Sequence, residues 1–136
     1  MNCPPETLLR PNEFACLPDR QTRLYAEIIQ VVEKGQRYWA RPVLLFEAED
    51  LDADNPETLP AIYDLRACAD LLWPRSLFRS VLDTELIPLL ARLNADPLIS
   101  PPHPAKPAPD SLEIAHQKMR QFAYRLWHTY PEAFQD

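Results

Sequence analysis

Residues 22 to 49, TRLYAEIIQVVEKGQRYWARPVLLFEAE, contain two apolar runs on either side of the polar segment EKGQ. Both runs are rich in β-branched and aromatic residues, and apolar residues of the first run alternate with period two, which predicts two strands, with a short helix as the alternative for the first run. Gly35, the only glycine of the chain, lies between the runs, where a tight turn favours a residue that tolerates a positive φ. The stretch therefore predicts a β-hairpin with Gly35 in its turn.

The alternation within the first run assigns side chains to the two faces of the hairpin. One face carries Leu24, Ala26, Ile28 and Val32. Val31 falls on the opposite face. In the second run, Pro42 has no N–H to donate to a ladder, so it predicts a bulge or a sheet edge at that point.

The rest of the chain adds a third strand and two helices. The segment AIYDLR, residues 61–66, is typical of a strand, and leucines at helical spacing predict a helix over 84–94. A longer amphipathic pattern near the end of the chain predicts the second helix. These elements favour an α+β fold: a small antiparallel sheet built on a β-hairpin and packed against two helices, which we expect on one face.

Composition changes along the chain divide it into four segments. Residues 1–21 form a proline-punctuated N-terminal arm, and residues 22–94 form the α+β core. Six prolines make residues 95–110 an extended spacer. Residues 111–136 are predicted to form an amphipathic helix that packs on the core, although its apolar stripe could instead pack on a partner.

Charge and cysteine content restrict the partners and the compartment. The 136 residues carry a net charge of −6, which does not favour nucleic acid as a partner because a phosphate backbone requires a basic surface. The N-terminal residues do not resemble a signal peptide, and no apolar stretch is long enough to span a membrane. Cys3, Cys16 and Cys68 are widely spaced and form no CxxC, so we expect free thiols and a cytoplasmic protein.

Neither a cofactor nor a metal is expected. Phosphate-binding loops require several glycines, and this chain has one. The acidic segment EAEDLDADNPE, residues 47–57, spaces its aspartates as a calcium loop does. However, Asn55 occupies the position of the required glycine, and Ala61 occupies the position of the bidentate glutamate.

Three functions remain open for such a domain. The preferred hypothesis is a non-catalytic protein-binding module that uses a sheet edge and an apolar groove, because tryptophan and arginine are enriched in interface hot spots. The candidate partner-binding residues are Tyr38, Trp39, Arg41, Trp73, Phe78, Phe122 and Trp127. A small hydrolytic enzyme centred on Asp64, Arg66 and Asp70 is the first alternative. A structural subunit of a homo-oligomer, with a homodimer as the simplest form, is the second.

The segments YDLRACADLLWPRSLFRSVLDTELIPLL and RQFAYRLWHTYPEAF resemble small proteins of cyanobacteria, over residues 22–136. Some of these proteins are assembly factors for photosynthetic or carbon-fixing machinery, such as the carboxysome assembly factor that engages the tail of a shell protein. The resemblance implies a non-catalytic, chaperone-like protein that binds an extended tail or peptide. It assigns no functional residue.

Overall fold

The computed structural model describes residues 9–32, 36–47, 61–95 and 109–134. The predicted turn at Gly35, the acidic segment after Glu47 and most of the proline-rich spacer lie outside these residues. None of the described helices is long and apolar enough to cross a membrane.

The described residues form a six-stranded antiparallel sheet and two helices, so the predicted α+β class is confirmed. The strands are β1 (Phe14–Asp19), β2 (Thr22–Val32), β3 (Arg37–Glu47), β4 (Ala61–Asp64), β5 (Leu71–Pro74) and β6 (Arg79–Ser80). The helices are α1 (Asp83–Ala95) and α2 (Pro109–Thr129), and short 3₁₀ turns follow β5 and α2 at Arg75–Leu77 and Pro131–Phe134. The strand order is β4-β3-β2-β1-β6. β4 and β5 pair with the same edge of β3, β4 with residues 44–47 and β5 with residues 37–40.

The predicted hairpin is the pairing of β2 with β3, and Pro42 lies at a bulge as expected. Tyr25 pairs with Leu44 and Ala26 pairs with Pro42, so Val43 has no partner on β2. Its carbonyl accepts a hydrogen bond from the backbone N–H of Leu65 at 2.9 Å. Pro42, which has no N–H to donate, thus lies where the bulge already interrupts the ladder.

A second bulge, at Ile29, changes the predicted faces of the hairpin. Ile28 pairs with Ala40 and Gln30 pairs with Trp39, which leaves Ile29 as the extra residue of β2. One extra residue reverses the alternation that follows it. Val31 therefore packs against the main core, whereas Val32 lies on the opposite face, and the assignment made from strict alternation is wrong for both residues.

The two helices lie on opposite faces of the sheet, so the expectation of one shared face is wrong. Leu24 and Leu45 pack in one core with α2, while their neighbours Tyr25 and Leu44 pack in a second core with α1. Successive residues of a strand point to opposite faces, and these residues are apolar on both. Each face therefore requires its own helix. The residues of α2 in its core are Ala115, Met119, Phe122 and Leu126.

A partly buried hydrogen bond also joins α1 to the sheet. The Tyr25 hydroxyl donates to Glu85 Oε2 at 2.5 Å. Burial, followed by the interaction with Glu85, raises the pKa of Tyr25, so the hydroxyl keeps its proton and remains a donor. This bond fixes the start of α1 over β2.

Part of the N-terminal arm belongs to the sheet. β1 pairs with β2 from Phe14 to Asp19, and the backbone N–H of Leu9 donates to the Tyr38 hydroxyl at 3.0 Å. β5 and β6, of four and two residues, were not predicted.

Replacing Phe122 with alanine should lower the free energy of unfolding by about 3–5 kcal/mol, because the ring is fully buried between α2 and the sheet. Trp127→Ala on the same helix is the control, since this side chain is 54% exposed and should change stability by about 0.5 kcal/mol or less. Urea denaturation measures both. Equal losses in the two variants would contradict the packing of α2 described above.

Candidate functional site

Three of the seven candidate partner-binding residues lie in the core. Tyr38, Phe78 and Phe122 are at most 9% exposed, and the rings of Tyr38 and Phe78 meet edge to face at 5.1 Å. Trp73 is half-buried, with its ring 6.0 Å from that of Phe134 in the final 3₁₀ turn. These four side chains pack within the protein, which leaves Trp39, Arg41 and Trp127 as the exposed candidates.

Trp39 and Arg41 converge on Asp70. The Trp39 indole Nε1 donates to Asp70 Oδ2 at 2.8 Å, and Arg41 Nε donates to Asp70 Oδ1 at 3.2 Å. Trp39 and Arg41 are neighbours on one face of β3 because they are two residues apart. Asp70 immediately precedes β5, so these contacts join the first residues of the β5 segment to β3.

The indole of Trp39 remains accessible although its N–H is bonded. Trp39 is 38% exposed, and its cross-strand partner Leu72 on β5 is 50% exposed. Together with Val32 and Leu71 they line a pocket of about 330 Å³, with Asp70 at its polar side. We call the residues Val32, Trp39, Asp70, Leu71 and Leu72 the Trp39–Leu72 surface. Apart from Leu71, these residues belong to neither of the two cores.

The fold explains why this surface is open. Because the bulge at Val43 adds one residue to β3, Trp39 lies on the same face of this strand as Leu44. However, α1 packs on Leu44 and its neighbours, at the opposite end of the strand. Val32 reaches the surface only because the bulge at Ile29 reverses the alternation of β2. The half of this sheet face that no described helix covers therefore carries apolar side chains from three adjacent strands.

The electrostatics of the surface keep Asp70 ionised. The hydrogen bond from Trp39, and next the one from Arg41, lower the pKa of Asp70 below its ordinary value. Both donors favour the charged form of the carboxylate. Asp70 therefore acts as an acceptor that orients Trp39 and Arg41.

A second group of exposed aromatic side chains lies near the end of α2. Tyr124 and Trp127 are 64% and 54% exposed, and their rings lie 4.2 and 5.4 Å from that of His128. A pocket nearby is lined by Gln117, Arg120, Gln121, Tyr124 and Arg125. All of these residues belong to one helix, so among the described residues no second element forms a wall. By contrast, Trp39 is held by a hydrogen bond to another element of the fold.

The structure pairs Asp64 with Arg66 but gives Asp70 of the proposed catalytic cluster different partners. Asp64 binds Arg66 through both carboxylate oxygens, at 2.9 Å to Nε and 2.8 Å to Nη2. Arg66 also donates from Nη1 to Asn94 at 3.1 Å. Asp70 instead binds Trp39 and Arg41. Each carboxylate thus has its own basic partner.

The described cysteines are free thiols with raised pKa values. Burial, followed by the charge of Glu85, raises the pKa of Cys16 to about 12. Burial also raises the pKa of Cys68, with a further contribution from Asp64. Neither environment favours the thiolate that a nucleophile requires. Cys3 lies outside the described residues.

Within the described ranges, no three side chains of His, Cys, Asp or Glu are grouped so that they could hold a metal ion. The acidic segment after Glu47 is not among those residues.

Four of the five members of the surface, namely Val32, Asp70, Leu71 and Leu72, were not among the seven candidates. Among these four, Asp70 was considered only for catalysis. The alternation in LLWP could have indicated that Leu72 and Trp73 point to opposite faces, but which face was open depended on the position of α1. Val32 could not be found from alternation because of the bulge at Ile29.

Comparisons with models of protein families, with curated proteins and with solved structures found no match to this chain.

Replacing Trp39 with phenylalanine should raise the pKa of Asp70 toward its ordinary value, because the first donor that stabilises the carboxylate is lost. In the wild type, the stabilisation by ionised Asp70 is present above its unfolded-state pKa and is lost as the pH falls through the lower folded-state pKa. NMR titration of the Asp70 carboxyl carbon measures the midpoint. Trp127→Phe should leave it unchanged, and the same midpoint in wild type and Trp39→Phe would contradict the assigned hydrogen bond.

Proposed function

We propose that the chain is a non-catalytic protein-binding module, an assembly factor or chaperone-like adaptor for a larger complex, and that its Trp39–Leu72 surface contacts the partner protein. The observation that carries this proposal is an accessible tryptophan fixed in place beside exposed Leu72. The hydrogen bond to Asp70 holds the indole at one edge, and the rest of the ring faces the pocket.

Pre-ordering of Trp39 supports a role in binding. Immobilising a free side chain at an interface costs about 0.5–1.5 kcal/mol, and an indole that is already held avoids part of this cost. The pocket of about 330 Å³ has the size for an apolar side chain of the partner. Tryptophan and arginine are also the residue types that dominate interface hot spots.

The charged groups at the side of the pocket have a different role. Arg41 and Asp70 form an ion pair whose two side chains are 53% and 31% exposed. Such a pair at the rim of an interface contributes little to affinity, but it affects the rate of association and the register of the partner. We therefore expect apolar truncations to weaken binding more than charge changes at Arg41.

Acid–base catalysis receives no comparable support from the carboxylates. Asp70 has a lowered pKa, which disfavours donation of a proton near neutral pH. Asp64 is engaged by Arg66 through both oxygens. An orienting function of both groups agrees better with this geometry.

The proposed location is the cytoplasm. The free thiols of Cys16 and Cys68 are compatible with a reducing compartment. The proposed partner is another protein, presenting an extended tail or peptide with an apolar side chain for the pocket.

Trp39→Ala should weaken partner binding by about thirtyfold, which corresponds to about 2 kcal/mol at a hot spot. The partner is first captured from the native cells with the tagged wild type, identified by mass spectrometry and produced as a pure protein. Calorimetric titration then gives its Kd for each variant. Trp127→Ala is the matched control, since it removes an exposed tryptophan from α2.

Circular dichroism and urea denaturation establish that both variants remain folded. The proposal requires a weaker Kd for Trp39→Ala and an unchanged Kd for Trp127→Ala. Weak binding by Trp127→Ala together with full binding by Trp39→Ala would overturn it and assign the partner to α2.

A further inference from the structure

The outer edge of β5 has backbone groups that no described strand pairs with. Among the described residues, β5 pairs with β3 alone. The N–H of Arg75 donates to the carbonyl of Gln36 at 3.0 Å, which makes these two residues a hydrogen-bonded pair of the ladder. Hydrogen-bonded and non-hydrogen-bonded pairs alternate in an antiparallel ladder. Leu72 therefore forms a non-hydrogen-bonded pair with Trp39, and its N–H and C=O point away from β3.

Pro74 fits the same alternation. It occupies the next non-hydrogen-bonded position, where its missing N–H removes no bond to β3. The 3₁₀ turn that begins at Arg75 ends the strand. The open edge is thus short, and its centre is Leu72.

We propose that two copies of this chain pair through their β5 edges, antiparallel and with the two-fold axis between the two Leu72 residues. Each Leu72 N–H then donates to the C=O of Leu72 in the other copy. Asp70 faces Pro74 of the other copy, and its N–H can donate to that carbonyl. The edge is therefore self-complementary in spite of its proline, which is the requirement for an isologous interface.

The side chains also match in this register. Leu72 lies opposite Trp39 on β3, so pairing about Leu72 aligns Trp39, Leu72, and the same two residues of the second copy in one row across a continuous sheet. At each end of the row, Asp70 comes opposite Pro74 of the other copy. β5 carries an exposed leucine and has no lysine, and an edge strand without such a charge is prone to pair with another strand.

Of the other edge strands, β4 has side chains engaged by both helices and β6 is only two residues long. β4 lies between the helices: Ile62 packs in the core of α1, and Lys118 of α2 lies 5.2 Å from the ring centre of Tyr63. On the opposite side of the sheet, β6 pairs with Ala15 and Cys16 of β1. The strand β1 ends at Asp19, which is buried and forms an ion pair with Arg125 of α2 at 3.6 Å.

Edge pairing hides backbone groups and leaves the sheet face open. The dimer would therefore present two copies of the Trp39–Leu72 surface as one wider surface. This inference does not depend on partner binding, because it concerns the edge and not the pocket. A dimer without partner binding, or partner binding by a monomer, would separate the two proposals.

Sedimentation equilibrium of the full chain, over a wide range of protein concentration, tests the dimer. We expect a monomer–dimer equilibrium, since so short an edge makes a weak interface. Leu72→Pro removes the outward N–H without removing a bond to β3, and Leu72→Lys places a charge on the axis. Each should weaken dimerisation at least about tenfold, as expected for loss of the central pair of a small interface.

Ile87→Lys is the control, because this residue is exposed on α1, which packs at the other end of β3 from β5. Circular dichroism checks the fold of every variant, and amide hydrogen exchange shows whether protection of the Leu72 N–H rises with protein concentration. A rise in protection, with dimerisation retained in Ile87→Lys, supports the proposal. A monomer at every concentration, or a dimer unaffected by both Leu72 variants, would overturn it.

Discussion

The antiparallel pairing of β2 with β3 is the constraint on which the other elements depend. These two strands carry apolar residues on both faces, so that Leu24 and Leu45 point into one core while Tyr25 and Leu44 point into the other. A one-residue shift in this pairing would move each set to the wrong face. α2 covers the first core and α1 covers the second, and the Tyr25–Glu85 hydrogen bond fixes α1 to the sheet. The bulge at Val43 keeps this register in spite of Pro42.

The same pairing also produces the candidate surface, because β3 is longer than the part of it that α1 covers. α1 covers only one end of its sheet face, and β3 continues beyond it to Trp39. The bulge at Ile29 then brings Val32 to this open end, and β5 adds Leu72 beside Trp39. These apolar residues therefore lie beside the Trp39 indole, which a hydrogen bond to Asp70 holds in place. The fold positions an ordered apolar surface without using any of the side chains of its two cores except that of Leu71.

The sequence was sufficient to predict the elements that have strong patterns. It was insufficient where a single residue changed the pattern. The hairpin, the bulge at Pro42 and the α+β class followed from alternation and from the chemistry of proline. The sides taken by the helices did not, because a strand buried on both faces has no polar face to mark the outside. Trp39 and Arg41 were identified by residue type, but their common partner Asp70 lies 29 or more positions away along the chain. Such a contact depends on the register of β5, a strand that was not predicted.

The most direct test of the account is footprinting of the native complex, in which oxidation of individual side chains by hydroxyl radicals is measured. The complex is isolated intact by a tag on this chain and compared with the pure protein at the same concentration. The account predicts that oxidation of Trp39 and Leu72 falls in the complex, while that of Tyr124 and Trp127 on α2 stays the same. Protection of Tyr124 and Trp127, with Trp39 and Leu72 as reactive as in the pure protein, would contradict it.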